Sequence, residues 1–243
     1  MARRLFFVEE IRRERAEVRG EAARHLSQVL RVEPGQVYEI SDNRSLYLAE
    51  VETAHKQLVS FRVVEALPPR PLEPEITLLA ALVKFDHFEW MIEKATELGV
   101  ARIVPVAADR SEKGLERAAV GRVERWRRIA LEASQQCRRM TRPEVEAVMP
   151  FAAAIECAGA RRVMLDEQGG RPVLDAVRGL DPIVLLAGPE GGWTERERSA
   201  ALERGWSSVS LGPLILRAET AVLAALAAIG AACRTKAEGT IRL

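Results

Sequence analysis

Apolar and polar residues alternate with a period of two in three short early runs: "GQVYEISD" (35–42), "SLYLAEVET" (45–53) and "QLVSFRVVEAL" (57–67). That period gives a strand one apolar face, and Pro34-Gly35 and Asp42-Asn43 supply turns between the runs. Ahead of them, "EAARHLSQVLRV" (21–32) sets Ala22, Leu26, Val29 and Leu30 at helical spacing, so a short helix interrupts the β pattern. Proline then crowds the chain. The segment "ALPPRPLEPE" (66–75) holds four prolines within seven positions, a semi-rigid spacer that breaks helices and ladders alike. The pattern predicts a small β-rich domain over residues 1–70 and a second domain over 71–243.

After the spacer the period switches between strand and helix. "ITLLAALVK" (76–84) reads as a buried strand, and Asp86 followed by Glu89 reads as a helix start. That helix carries Phe88, Met91, Ile92 and Ala95 on one face and closes at Gly99. "ARIVPVAA" (101–108) is a second strand. "VGRVERWRRIALEASQQCRR" (120–139) is a long amphipathic helix with Val123, Trp126, Ile129, Ala130 and Ala133 on its apolar side. "RRVMLDE" (161–167), "PIVLLAG" (182–188) and "SSVSLG" (207–212) are further strands, with helices at 194–204 and about 218–233. Such alternation predicts an α/β domain with a mainly parallel sheet.

Composition adds limits rather than a direction. The 243 residues are 48% hydrophobic and 29% charged, with a formal net charge of +1, so no global field announces a polyanionic partner. The basic residues are mostly arginine, which suits phosphate and base contacts, though a genome-wide composition bias gives the same excess. Cys137, Cys157 and Cys233 are odd in number and far apart, which points away from a disulfide framework or metal site and toward a reducing cytoplasm. The opening "MARRLFFVEEIRRE" has too short an apolar run for a signal peptide, and "AVLAALAAIGAAC" (221–233) is too short for a bilayer span.

Two loops carry candidate chemistry, because ligands of parallel sheets sit beyond the carboxyl ends of the strands. The first, "AGPEGGW", has glycines at 188, 191 and 192 around Pro189 and Glu190. It is neither a phosphate-binding Walker loop nor GxGxxG, and the Glu190 carboxylate would repel phosphate. Thr194 and Glu197 form a plausible capping box for the next helix. A ligand that accepts both close glycine backbone and a carboxylate is neutral or cationic, and S-adenosylmethionine is one such molecule. The second loop, "LGPLILRAET" (211–220), sets Arg217 and Glu219 just before an Ala-, Val- and Leu-rich helix. Glu219 and Thr220 suit a helix start. Arg217 must either pair, with Glu190 or Glu219, or face a cavity.

Together "LLAGPEGGWTERE" and "LGPLILRAETAVLAALAA" closely resemble the RsmE family of small-subunit ribosomal RNA methyltransferases, of the SPOUT class. "HLSQVLRVEPGQ" (25–36), "EWMIEKATELGVARIVPVAADRS" (89–111) and "RWRRIALEASQQCRR" (125–139) agree with it as well, so the likeness spans nearly the whole chain. The resemblance implies a PUA-like β-barrel over 1–70 and, over 71–243, a SPOUT-type parallel sheet whose C-terminus is threaded as a trefoil knot. It implies a cytoplasmic homodimer that uses S-adenosylmethionine, without a metal, to methylate N3 of a uridine in 16S rRNA (U1498 of the decoding region). Carried over, the cofactor pocket falls on Leu186, Ala187 and Gly188, on Glu190, Gly191 and Gly192, and on Leu211, Gly212, Leu214, Ile215, Leu216 and Ala221. Two positions depart from the family pattern: Leu214 stands where arginine is common, and His87 stands where "KFDH" replaces Lys-Gly-Asp-Arg. His87 is then a substitute donor or simply solvated.

The implied chemistry needs a base for the N3 proton, or a cation that stabilises the deprotonated ring. Arg217 is expected to supply the charge, with Glu219 orienting it or taking the proton. For RNA the candidates are Arg3, Arg4, Arg24, His25 and Arg31 in the first domain, and Arg122, Arg125 and Arg128 on the 120–139 helix. That helix face has an alternative reading as solvated surface laced by Glu124–Arg128 or Arg128–Glu132 pairs. A phosphate-binding nucleotide enzyme and a non-catalytic assembly factor are the rival functions.

Overall fold

The computed structural model describes residues 4–177 and 179–238. The chain divides into two compact units. The first takes the chain up to Pro71 together with Ser134–Arg142, and the second takes Leu72–Ala133 and the chain from Pro143 onward.

In the first unit, β1 (Leu5–Phe7), β2 (Ile11–Arg12) and β3 (Arg15–Arg19) precede a short helix α1 (Gly20–Arg24), and β4 (Val37–Ser41), β5 (Leu46–His55) and β6 (Leu58–Leu67) follow. The three runs read from alternation are β4, β5 and β6, paired antiparallel in that sequence. The hydrogen-bonded order is β1-β4-β5-β6-β3-β2, with β1 parallel to β4. Phe6, Ile40, Ala49, Val51, Val59 and Phe61 form the centre of its core.

The helix expected over 21–32 is α1 continued by one π-helical turn, His25–Val29. A π turn takes more residues per turn than an α-helix and rotates the buried face. Leu26 is buried and Leu30 partly buried as expected, but Ala23 is buried in place of Ala22, and Val29 is 65% exposed. Ser134–Arg142 completes this unit. Met140 packs with Leu5 and Leu46, and the Ser41 hydroxyl donates to the Met140 carbonyl at 2.6 Å. Glu39 is buried and accepts from Arg70 (2.9 and 2.9 Å) and Arg138 (2.8 Å). Burial pushes its carboxyl up, but the two guanidiniums outweigh that and hold it below the usual range.

The second unit alternates strand and helix as its sequence predicts. Its elements are β7 (Ile76–Ala81), α2 (Phe85–Glu97), β8 (Arg102–Ala107), α3 (Leu115–Ala119), α4 (Val123–Cys137, whose last turn belongs to the first unit), β9 (Glu144–Val145), β10 (Met149–Pro150), α5 (Phe151–Ala154), β11 (Arg161–Leu165), β12 (Arg171–Pro172), α6 (Val173–Ala176), β13 (Ile183–Ala187), α7 (Glu195–Glu203), β14 (Ser207–Ser210) and α8 (Ala218–Glu238). The strands order as β10-β8-β7-β13-β11-β14-β12, with β9 beside β8, and every pairing is parallel. Both faces are covered. Leu78, Ala80, Leu185 and Val163 point to one core with Phe88, Trp126 and Leu226, whereas Leu79, Val104, Leu186 and Met164 point to another with Trp193 and Trp206. Burial on both sides is why these strands read as continuous apolar runs.

Helix α2 starts earlier than Asp86. Lys84 is its N-cap, and Asp86 sits in the first turn, where a carboxylate favours the helix dipole. Glu89 is no capping partner; it accepts from Arg122 and Arg125. Gly99, at φ +93°, ends the helix as expected. Among the described residues no helix is long and apolar enough to cross a membrane.

Candidate active site

The order β13-β11-β14 sets three carboxyl strand ends side by side. Loop 188–193 leaves β13, loop 211–217 leaves β14, and Asp166 and Glu167 leave β11. Between them lies an open cavity, placed where parallel sheets bind their ligands. The first loop gives it Ala187, Gly188, Pro189 and Gly192. The second gives Leu211, Gly212, Leu214 and Leu216, and Ala218 and Ala221 of α8 close the floor. Leu165, Asp166 and Glu167 complete the wall, a contribution the loops alone did not reveal.

The acid pair gives this wall its sign. Asp166 is bound by Arg198 through two contacts of 2.8 and 3.1 Å, by the Gln168 amide at 3.1 Å and by the Ser208 hydroxyl at 3.2 Å. Burial raises its carboxyl, yet the Arg198 guanidinium and these donors win and hold it below the ordinary range. Glu167, with 36% of its side chain exposed and 3.5 Å from Arg198, is the more available acid. Apolar walls, backbone groups and a carboxylate suit a neutral or cationic ligand.

The glycines of the first loop have protein reasons as well. A Cβ on Gly188 would meet the Trp193 ring at 3.0 Å, and that indole donates to the Leu165 carbonyl at 2.9 Å. Gly192 has φ +68°, and a Cβ there would come within 2.3 Å of Glu167 Oε1. Gly191 faces Arg110 and lies outside the cavity, its carbonyl accepting from Arg110 at 2.9 Å. In the second loop Gly212, at φ +126°, has nothing within 4 Å of its missing side chain. The capping box is present: Glu197 N donates to Thr194 Oγ1 (3.2 Å) and Thr194 N to Glu197 Oε2 (2.9 Å). Glu197 also accepts from the Asp109 amide at 2.8 Å, so one buried carboxylate ties the loop to the end of β8.

Next to this cavity is a second cleft, lined by Lys84, His87, Glu190, Ile215, Leu216 and Arg217. Leu216 belongs to both, so the two are contiguous. Arg217 is exposed and its guanidinium has no ion-pair partner among the described residues. The pair with Glu190 or Glu219 is therefore not made, and Arg217 faces the cleft. His87 stands against both acids instead, its Nδ1 3.4 Å from Glu219 and 3.7 Å from Glu190. Glu219 is buried, and its Oε2 has no hydrogen-bond partner.

Of the other expected ligand residues, Leu186 points its side chain into the core with Trp193 and Trp206, away from both openings. Glu190 and Ile215 face the second cleft, and Leu214 and Ile215 are 78% and 86% exposed. Arg3 lies outside the described residues. Arg4, Arg24, His25 and Arg31 are exposed on the first unit, with Arg24 donating to Gln28 at 3.1 Å. Arg122 and Arg125 are not free: both bond Glu89, Arg125 through two contacts of 2.7 Å, and Arg122 also lies 4.6 Å over the Phe85 ring. Glu124 pairs with Arg127.

The chain is similar to known proteins in sequence and fold. Residues 70–230 match the family model described as RNA methyltransferase domain. The ribosomal RNA small subunit methyltransferase E of Synechocystis is 35% identical over 216 residues, 85% of this chain and 70% of its own length. That of Bacillus subtilis is 33% identical over 87% of this chain and 88% of its own. The crystal structure of the Neisseria gonorrhoeae enzyme of the same name, bound to S-adenosyl methionine, superposes with a TM-score of 0.88 at 28% identity, covering 96% of this chain and 98% of that one. With the fold, the family model and these relatives in agreement, the chain belongs to the ribosomal RNA small subunit methyltransferase E family.

Proposed function

We propose that this protein is an S-adenosylmethionine-dependent methyltransferase of small-subunit rRNA, and that its target is N3 of a uridine in the 16S decoding region. One observation carries the reading: an apolar cavity with an acid wall adjoins a cleft in which Arg217 has no partner. The residues fit the donor. The backbone of Leu211–Leu216 and Gly188 would hold its adenosine, and the wall that carries Glu167 would hold its cationic part. The bound donor supplies an electrophilic methyl group.

The chain's own residues do the rest. Uridine N3 holds a proton at neutral pH and is a poor nucleophile until the proton leaves. Arg217 then faces a ring whose negative charge is spread over its carbonyl oxygens, and a fixed cation stabilises that charge. Glu219, in the first turn of α8, lies against His87 rather than Arg217. The first unit, as a PUA-like β-barrel, grips rRNA through Arg4, Arg24, His25 and Arg31. The second is a SPOUT domain with a C-terminal trefoil knot. The exposed Leu214 and Ile215 fit burial in a homodimer beside the cleft, which sedimentation at micromolar concentration tests.

The decisive experiment incubates the protein with labelled S-adenosylmethionine and small subunits lacking the modification, then maps the methyl group. Transfer to uridine N3 is the expected result. No incorporation, or binding of ATP in preference to S-adenosylmethionine by calorimetry, defeats the proposal. Arg217→Ala is expected to bind the donor within about threefold of normal and to lose about 100-fold or more in methylation rate.

A further inference from the structure

Resting on that reading, we infer that His87, held by Glu219 and Glu190, is the general base that removes the uridine N3 proton. Of the residues lining the cleft beside Arg217, His87 carries the one imidazole, a side chain suited to general-base work. Its Nδ1 is buried without a hydrogen-bond partner, as is Glu219 Oε2. Nδ1 and Glu219 Oε1 are 3.4 Å apart. The two are within reach, and a reorientation of the ring aligns them for a hydrogen bond, as base–carboxylate pairs do when substrate seats.

The exposure pattern assigns the two ring nitrogens. The His87 side chain is 28% exposed although Nδ1 is buried, so the exposed part of the ring lies away from Nδ1. With Nδ1–H turned to the Glu219 carboxylate, Nε2 is left with the lone pair that takes a proton. This is the division of labour of a carboxylate-oriented histidine. In the step, the N3–H bond breaks and an Nε2–H bond forms. The electron pair stays on the ring, opposite Arg217, and the imidazolium is stabilised by Glu219 and Glu190. The proton later passes from Nε2 to water.

Every element around His87 takes part in the charge balance. Lys84 and Asp86 come from the start of α2, with Asp86 3.8 Å from Nε2; Glu190 comes from the first loop, Arg217 from the second and Glu219 from α8. Asp86 is 78% exposed and Glu219 only 10%, so Glu219 is the effective orienting partner.

Two measurements test this. The chain has three histidines, so nitrogen NMR of ¹⁵N-histidine protein, with His87→Gln for assignment, reads the tautomer directly. Protonation of Nδ1 in neutral His87 is expected, and lost in Glu219→Gln; protonation of Nε2 instead overturns the proposal. Single-turnover methylation of small subunits is then followed against pH. The wild-type rate is expected to rise with pH and then level off. His87→Gln should bind S-adenosylmethionine normally, fall about 100-fold or more at neutral pH, and lose the plateau. His87→Ala should regain rate with added imidazole. A His87→Gln rate within threefold of wild type with the same profile overturns the base assignment alone, whereas wild-type protein that transfers no methyl group overturns the function beneath it. If His87→Gln fails to fold, Glu219→Gln tests the same pair: its methylation rate should fall at least about tenfold with the Nδ1 tautomer lost, and a rate within about threefold of wild type overturns the assignment.

Discussion

Replacing Asp166 by Asn removes one charge from the buried pair behind the cavity wall. The Asp166 and Arg198 side chains are 3% and 8% exposed, and two contacts of 2.8 and 3.1 Å join them. Breaking a buried pair by removing one partner costs about 3–5 kcal/mol, because the remaining charge stays in a poor solvent. Here Asn still offers an oxygen, and Arg198 keeps Glu195 at 3.0 Å and Glu167 at 3.5 Å. The expected cost is therefore at the low end, about 3 kcal/mol. At roughly 2–4 °C per kcal/mol for a chain of this size, the melting temperature should fall about 6–12 °C. The pH dependence has a definite sign. Asp166 is depressed in the folded state, so its contribution is present above the ordinary Asp value of 3.8 and is lost as pH falls through the folded value. Thermal unfolding by circular dichroism at pH 7, 5, 4 and 3 should show a full gap between wild type and variant that closes below about pH 4. A gap under 2 °C at pH 7, or one that persists unchanged into acid, refutes the reasoning.

Other substitutions sample the loop supports. Gly192→Ala meets both a positive φ and Glu167, so denaturant unfolding should show a loss of about 1–2 kcal/mol from the backbone alone, with weaker S-adenosylmethionine binding as Glu167 is displaced. An unchanged midpoint would show that the loop relaxes freely. Thr194→Ala should cost about 1 kcal/mol as a lost cap. Glu197→Ala should cost more, about 2–3 kcal/mol, because the buried carboxylate serves the amides of both Thr194 and Asp109; equal losses for the two variants would contradict the second role.

Periodicity carried the strand–helix alternation because these strands are covered on both faces and the helices have one apolar stripe. It missed β3, whose "RAEVR" buries only Ala16 and Val18 among charges, and it misplaced the buried face near His25, where a π turn breaks the helical count. The two glycine loops were legible as a ligand site because strand ends and glycines leave a local signature. The acids of β11 were not, since only the strand order brings them between the loops. The charge at Arg217 was legible as something needing an explanation, but its two proposed partners turn toward His87. Pairwise reading cannot choose among acids that several elements share.

The residues from Ser134 to Arg142 finish the first unit, supplying Arg138 to Glu39 and the Met140 carbonyl to Ser41. On a ribosome that arrangement imposes a wait. About 70 residues must be added after Pro71 before this segment exists, on the order of 4–14 seconds at typical elongation rates. Throughout that interval Glu39 lacks one of its two arginines, and Leu5 and Leu46 lack Met140. The unit that begins the chain is therefore completed only after much of the second has been synthesised, and a gene fragment ending at residue 71 encodes its strands without their closure.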